Sequence, residues 1–164
     1  MDAGRGSDPA MKRTTVERKS DRELVVTRTI DGPARLVFAA WTKAELFQRW
    51  WVPRSMGMKL ESCEMDVRAG GRYRLVFGQG AEFFGRYLEV APPARLSWTN
   101  EEAGEAGSIT TVTFEERDGR TLVTLSELFP SKEAFEAGAG AADAMDESFG
   151  QLEELLVTLA ADGT

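Results

Sequence analysis

Residues 58–129 read as six short β segments, after which the apolar pattern changes to a helical one. Side chains alternate across a strand with period two and recur along a helix every three or four residues, so this change limits the chain to few architectures. Tyr73, Leu75 and Phe77 share one face of the 72–77 run, and Leu96 and Trp98 share one face of the 95–100 run. Val112 and Phe114 are in phase in 109–115, as are Val123, Leu125 and Glu127 in 121–129. Gly70-Gly71, Gly78-Gln79-Gly80, Pro92-Pro93 and a polar loop over 101–107 separate the runs, and Asp118-Gly119 predicts a two-residue hairpin. In the helical part Met145, Phe149, Leu152, Leu156 and Leu159 form one stripe. Ser131 is its candidate N-cap, and Gly138 and Gly140 predict a break in its first half.

Upstream, the Val- and Thr-rich stretch 23–30 predicts a further strand, closed by Asp31-Gly32. Pro33 suits a first helical turn, and a helix is expected to about Trp41. Thr42 with Glu45 matches a capping box for a second short helix that Pro53 ends. The order β-α-α-β6-α predicts an α+β helix-grip fold, with a seven-stranded curved antiparallel sheet wrapped around a long C-terminal helix. A sheet with one apolar face needs a cover, and the terminal helix supplies it. The domain is expected over 22–162, preceded by a polar, disordered leader over 1–21 in which Met1 or Met11 starts the chain.

Composition removes several chemistries. With no histidine and one cysteine, Cys63, the chain has neither the commonest general base nor the ligand set of a thiolate metal cluster, and no metal or cofactor is expected. No apolar run approaches the roughly 20 residues that span a bilayer, and the N-terminus lacks a signal-like apolar stretch. A cytoplasmic location and no membrane partner are the expectation. Net charge is −7, and residues 131–164 carry one lysine against eight acids, which argues against nucleic acid.

The segment 31–53 concentrates Trp41, Trp50, Trp51, Phe38 and Phe47 on two short helices. Each such ring buries roughly 150–250 Å², so they either plug the core or line a hollow. Together with Val37-Phe-Ala-Ala-Trp-Thr42, Arg49-Trp-Trp-Val-Pro53, the 63–74 and 85–96 segments and the closing Ser148-Phe-Gly-Gln-Leu-Glu-Glu-Leu155, this stretch resembles bacterial proteins related to the C-terminal domain of the activator of Hsp90 ATPase. These belong to the START-like, or SRPBCC, superfamily. The resemblance spans about 22–160 and implies a helix-grip fold with an internal hydrophobic cavity. The superfamily includes lipid carriers, hormone receptors, and polyketide cyclases and aromatases.

The candidate ligand-binding residues are therefore those facing the gap between sheet and helix. Trp41, Phe47 and Trp51 are expected to close it, Tyr73, Leu75, Phe77 and Trp98 to face the long helix from the sheet, and Met58 to add soft apolar surface. Phe114, Leu125, Glu127, Met145 and Phe149 complete the set. No residue is assigned as catalytic. Arg28 shares the inward phase of its strand with Val26 and Ile30, so an Arg28–Glu127 pair is one expectation. The first reading of function is a carrier of a hydrophobic small molecule. The alternatives are a cyclase or hydratase using Tyr73 and Glu127, and an interaction module, either a homodimer or a co-chaperone-like domain.

Overall fold

Among the described residues eight strands, all paired antiparallel, form one curved sheet, and the helices pack against one of its faces. The computed structural model describes residues 14–57, 59–78, 80–101 and 107–161. The strands are β1 (Thr15–Arg18), β2 (Glu23–Asp31), β3 (Leu60–Met65), β4 (Arg72–Phe77), β5 (Glu82–Ala91), β6 (Arg95–Thr99), β7 (Ile109–Arg117) and β8 (Arg120–Leu128). Their order across the sheet is β1-β2-β8-β7-β6-β5-β4-β3. Between β2 and β3 lie α1 (Ala34–Thr42), α2 (Ala44–Trp50) and a 3₁₀ turn (Arg54–Met56). After β8 come α3 (Lys132–Gly138), a second 3₁₀ turn (Ala139–Ala144) and α4 (Met145–Ala161).

The periodicities account for this arrangement. Leu24, Val26, Arg28 and Ile30 alternate as the buried face of β2, and Thr121, Val123 and Leu125 do the same on β8. Asp118 and Gly119 both take positive φ, 54° and 78°, as a tight hairpin whose twist matches its strands requires. Pairing of Arg117 with Arg120 then sets the register of β7 on β8, with Val112 opposite Leu125 and Thr110 opposite Glu127. Phe149, Leu152, Leu156 and Leu159 are buried along α4, which packs on β2, α1 and α2. The Ser131 hydroxyl accepts the Ala134 N–H at 3.1 Å as an N-cap, and the helix breaks where Gly138 and Gly140 weaken it.

Three expectations need correction. Among the described residues the sheet has eight strands rather than seven, because Thr15–Arg18, within the stretch expected to be a disordered leader, pairs with Leu24–Thr27. All four of its residues are exposed, so no burial pattern announces it, and it is held by the backbone groups of the adjoining edge. Thr42 is not the cap of α2: it ends α1 and donates its hydroxyl to the Phe38 carbonyl at 2.9 Å, while Lys43 takes the cap position. Pro33 stands at the N-cap of α1 rather than inside its first turn. Residues 1–13 with the candidate starts Met1 and Met11, residues 102–106 of the polar loop, and the predicted domain end at 162 lie outside the described residues.

Candidate functional site

The rings of α1 and α2 form one continuous aromatic corner. Trp41 is packed edge-on against Trp50 (centroids 4.9 Å), Trp51 (5.6 Å) and Phe114 (6.0 Å), and Phe47 stacks on Trp51 at 4.9 Å. Trp50 is fully buried, with its indole N–H donating to the Ala40 carbonyl at 2.9 Å. A buried amide from α4 fixes the chain beyond it. Gln151 donates to the carbonyls of Trp50 and Val52, each at 2.9 Å, and accepts the Arg54 N–H at 2.8 Å. It therefore satisfies backbone groups that the end of a short helix leaves without partners. Ser148 adds a bond to the Trp51 carbonyl, and Glu147 takes both the hydroxyl and the N–H of Ser55. These two bonds, hydroxyl first, hold the Glu147 carboxyl below the usual carboxylate range.

Clamped in this way, the corner closes one side of a cavity of about 790 Å³ between the sheet and α3, the second 3₁₀ turn and α4. That volume falls in the usual range for small-molecule sites, about 300–1,000 Å³. Trp41, Phe47, Trp51, Tyr73, Leu75, Phe77, Trp98, Leu125, Glu127 and Met145, all named from the sequence, border it. Two of the named residues do not. Phe149 is fully buried beside Trp50 (centroids 6.4 Å), and Phe114 fills the space between Phe38 (5.4 Å) and Trp41. Both share the inward phase, but they lie where the layers are already in contact. Met58 is outside the described residues.

The cavity has one polar band, made by the ends of β6, β7 and β8. The Tyr73 hydroxyl donates to the Thr99 carbonyl at 2.7 Å and lies 3.2 Å from Asn100 Oδ1, which also accepts the Trp98 N–H at 3.3 Å. Asn100 Nδ2 donates to the hydroxyls of Ser108 (3.0 Å) and Thr110 (2.9 Å), and Ser108 donates to Glu127 Oε2 at 2.6 Å. Gly85 makes this possible, since a Cβ there would lie 2.0 Å from the Thr99 oxygen that receives Tyr73. Tyr87 borders the cavity as well; burial pushes its phenol well above the ordinary range, with Cys63 and Asp66 adding to the shift.

Reading side chains one at a time misses Asn100, Ser108 and Thr110, although their signal is in the sequence. Counting back along the strands from the Asp118-Gly119 turn puts Thr110 opposite Glu127, and Ser108 follows the same phase. The expected Arg28–Glu127 pair does not form. Register sets Leu24 opposite Glu127 and Arg28 opposite Val123, four residues away, or roughly 13 Å along the strand. Arg28 instead reaches α4, with its guanidinium 2.7 Å from Glu153 and 3.2 Å from Asp146. Cys63, half-buried in β3, has its thiol pushed up to about 11 by burial, so it is a weak nucleophile. Among the described residues no cluster of acids or thiols could hold a metal ion, and no helix is long and apolar enough to cross a membrane.

Solved structures share this architecture. The chain is similar to a crystallised protein from Rhodobacter sphaeroides, with 24% identity and a TM-score of 0.78 over 90% of this chain and 98% of that one. A protein from Nitrosomonas europaea matches at 25% identity and a TM-score of 0.74, over 88% of this chain and 99% of that one. A solution structure from Staphylococcus epidermidis matches at 29% identity and a TM-score of 0.73, over 88% of this chain and 94% of that one. No curated protein matches the chain. The sequence pattern of the Activator of Hsp90 ATPase homolog 1-like proteins matches residues 31–159, from the end of β2 almost to the end of α4. The chain belongs to the Activator of Hsp90 ATPase homolog 1-like protein family.

Proposed function

We propose that this protein binds an apolar or aromatic small molecule in the cavity between sheet and helices, and works as a cytoplasmic carrier or receptor. One observation carries this reading. A space of about 790 Å³ is walled by Trp41, Trp51, Trp98, Leu75, Phe77 and Met145, with Tyr73, Asn100, Ser108, Thr110 and Glu127 joined in one hydrogen-bonded band. Transfer of apolar surface from water to such walls is worth about 25 cal/mol per Å², enough to drive binding of a small hydrophobic molecule. Confined polar groups then fix its orientation. Titration with the neutral dye N-phenyl-1-naphthylamine, followed by dye emission and quenching of tryptophan, tests the reading. Saturable 1:1 binding is expected; absence of binding at solubility-limited dye, together with a protein that carries no small molecule in native mass spectrometry, overturns it.

A catalytic reading, as a cyclase or hydratase, draws on a second observation: Tyr73 and Glu127 belong to one hydrogen-bonded chain through Asn100 and Ser108. In that chain the Tyr73 proton points to a backbone carbonyl, which makes the phenol a positioning group more readily than an acid. Tyr73→Phe separates the two readings, because a carrier keeps its dye affinity within a few-fold and a catalyst loses turnover with binding intact.

A further inference from the structure

One row of facing residues crosses the sheet beneath the cavity and, resting on the binding function proposed above, it says what group a ligand carries. Tyr87 stands opposite Trp98 in the β5–β6 pairing, and Trp98 stands opposite Thr110 in the β6–β7 pairing. All three border the cavity. Neighbouring strands lie about 4.8 Å apart, so Tyr87 and Thr110 flank the Trp98 indole with their backbones roughly 10 Å from each other.

Most polar hydrogens of this wall are already used. Tyr73 gives its hydrogen to the Thr99 carbonyl, the Trp98 N–H goes to Asn100, and the Asn100 amide serves Ser108 and Thr110. Ser108 donates to Glu127, and Ser148 donates to the Trp51 carbonyl. Three other side-chain donors stand on the lining, those of Trp41, Thr110 and Tyr87. The Trp41 N–H has no partner, but it is enclosed among the rings of Trp50, Trp51 and Phe114. Thr110 accepts from Asn100 at 2.9 Å, and its own hydrogen takes no part in that bond. Tyr87 differs from both. It follows the inward phase of β5 and is only 4% exposed, and among the described residues its hydroxyl has no hydrogen-bond partner, yet it is not enclosed as the Trp41 N–H is. Cys63 and Asp66, the ionisable groups that act on this phenol, are engaged elsewhere. The thiol lies 3.6 Å from Met65 Sδ, and the Asp66 carboxylate takes the Arg68 Nε–H at 2.9 and 3.1 Å.

A buried polar group without a partner is costly, and a ligand that supplies the partner recovers that cost on binding. The chemistry of the missing partner follows from the phenol. Its oxygen shares lone-pair density with the ring, so it donates better than it accepts. Burial, with Cys63 and Asp66 adding to it, raises the phenol pKa and keeps the hydrogen in place. Among the described residues that border the cavity there is no lysine or arginine, so nothing there offsets the desolvation of an anion. The complement is a neutral acceptor on a flat ring that can lie against Trp98.

We infer that the cavity takes a neutral aromatic carbonyl compound whose oxygen accepts the Tyr87 hydroxyl, which makes Tyr87 the residue that distinguishes such a ligand from a hydrocarbon of the same shape. The test compares 2-acetylnaphthalene with 2-isopropenylnaphthalene, in which a CH₂ group replaces the oxygen, each displacing bound N-phenyl-1-naphthylamine. In Tyr87→Phe the ketone is expected to lose about fivefold or more in affinity, while the hydrocarbon changes by less than about twofold. Thr110→Val should leave the ratio of the two ligands unchanged, and the carbonyl stretch of bound ketone should lie at lower frequency in the wild type than in Tyr87→Phe. Equal effects of Tyr87→Phe on both ligands, or a ketone loss confined to Thr110→Val, overturn the inference and leave the cavity function standing. If neither the dye nor either ligand binds the wild type, both fall together. Should Tyr87→Phe not fold, as judged by circular dichroism, the infrared spectrum decides. A lowered carbonyl band that persists in Thr110→Val supports the inference, and a band at its position in hexane overturns it.

Discussion

Phe149 and Leu152 on α4, with Ile30, Val112 and Val123 on the sheet, are completely buried, and none of them borders the cavity. One turn earlier the partners change: Ala142, Ala144 and Met145 stand over Tyr73, Leu75, Phe77 and Leu125, and here the two layers leave about 790 Å³ between them. The sheet presents apolar side chains in both halves, with the polar band of Asn100, Ser108, Thr110 and Glu127 in the open one. What differs is the covering element. Branched and aromatic side chains at helical spacing reach the floor, whereas an Ala- and Gly-rich 3₁₀ turn does not. Gly138 belongs to the same design, since a Cβ there would approach the Phe129 ring to 2.9 Å. The cavity is thus made by small residues in the cover, and the aromatic corner bounds it from the side.

This contrast is broken most directly by truncating one leucine in each half. Leu152→Ala removes a side chain from fully packed surroundings and is expected to cost about 4 kcal/mol. Leu75→Ala enlarges a space that already exists and is expected to cost only about 2 kcal/mol, near the lower end for such changes. Urea unfolding of both variants measures the difference. Equal losses would show that the second half is packed as tightly as the first.

Gln151 joins the halves, because it is anchored in α4 and holds the strand-like exit of the aromatic corner. Gln151→Leu keeps its bulk but strips partners from the carbonyls of Trp50 and Val52 and from the Arg54 N–H. A loss of about 2–3 kcal/mol is expected, less than the sum of three unmade bonds because the exposed end at Arg54 can turn to water. Dye affinity should fall with it, since Trp51 and the turn at Met56 border the cavity. A variant that loses stability and keeps full affinity would detach the clamp from the site.

The opposite manipulation fills the open half. Ala142 is buried and faces the cavity, so Ala142→Leu projects new bulk into available space rather than into packed neighbours. Stability is expected to change by no more than about 1 kcal/mol, in contrast to the 1–3 kcal/mol usual for overpacking. Binding of N-phenyl-1-naphthylamine should weaken by more than tenfold. A large loss of stability with unaltered binding would mean that the small-residue turn is structural and the cavity lies elsewhere.

How far the sequence carried these inferences follows the same division. Periods of two and 3.6 depend on burial of one face, so β4 to β8 and the α4 stripe are legible, and so is the break at Gly138. Seven cavity-lining residues (Tyr73, Leu75, Phe77, Trp98, Leu125, Glu127 and Met145) follow from phase, and Trp41, Phe47 and Trp51 from the concentration of rings on the two short helices. Phase cannot distinguish a side chain that fills space from one that borders it, which is why it groups Phe114 and Phe149 with the lining. Nor does it give position along a strand: Arg28 and Glu127 share a face but are set apart by register. Strand β1 is invisible for a related reason, since four exposed residues held by backbone pairing have no pattern to read.

The smallest expected effect lies at the cavity mouth and concerns pH. Ser55, through its hydroxyl and then its N–H, lowers the Glu147 carboxyl, with Arg54 adding a weaker attraction. A carboxyl depressed in the folded state stabilises the fold fully above its unfolded value, near about 4.3, and this contribution is lost as pH falls through the folded value. Unfolding measured from pH 7 to pH 3 should therefore show a shallower acid limb in Glu147→Gln than in the wild type, with the two curves converging at the acid end. Identical acid limbs would show that these hydrogen bonds are equally available to the unfolded chain, and that the turn is held by Gln151 and Ser148 alone.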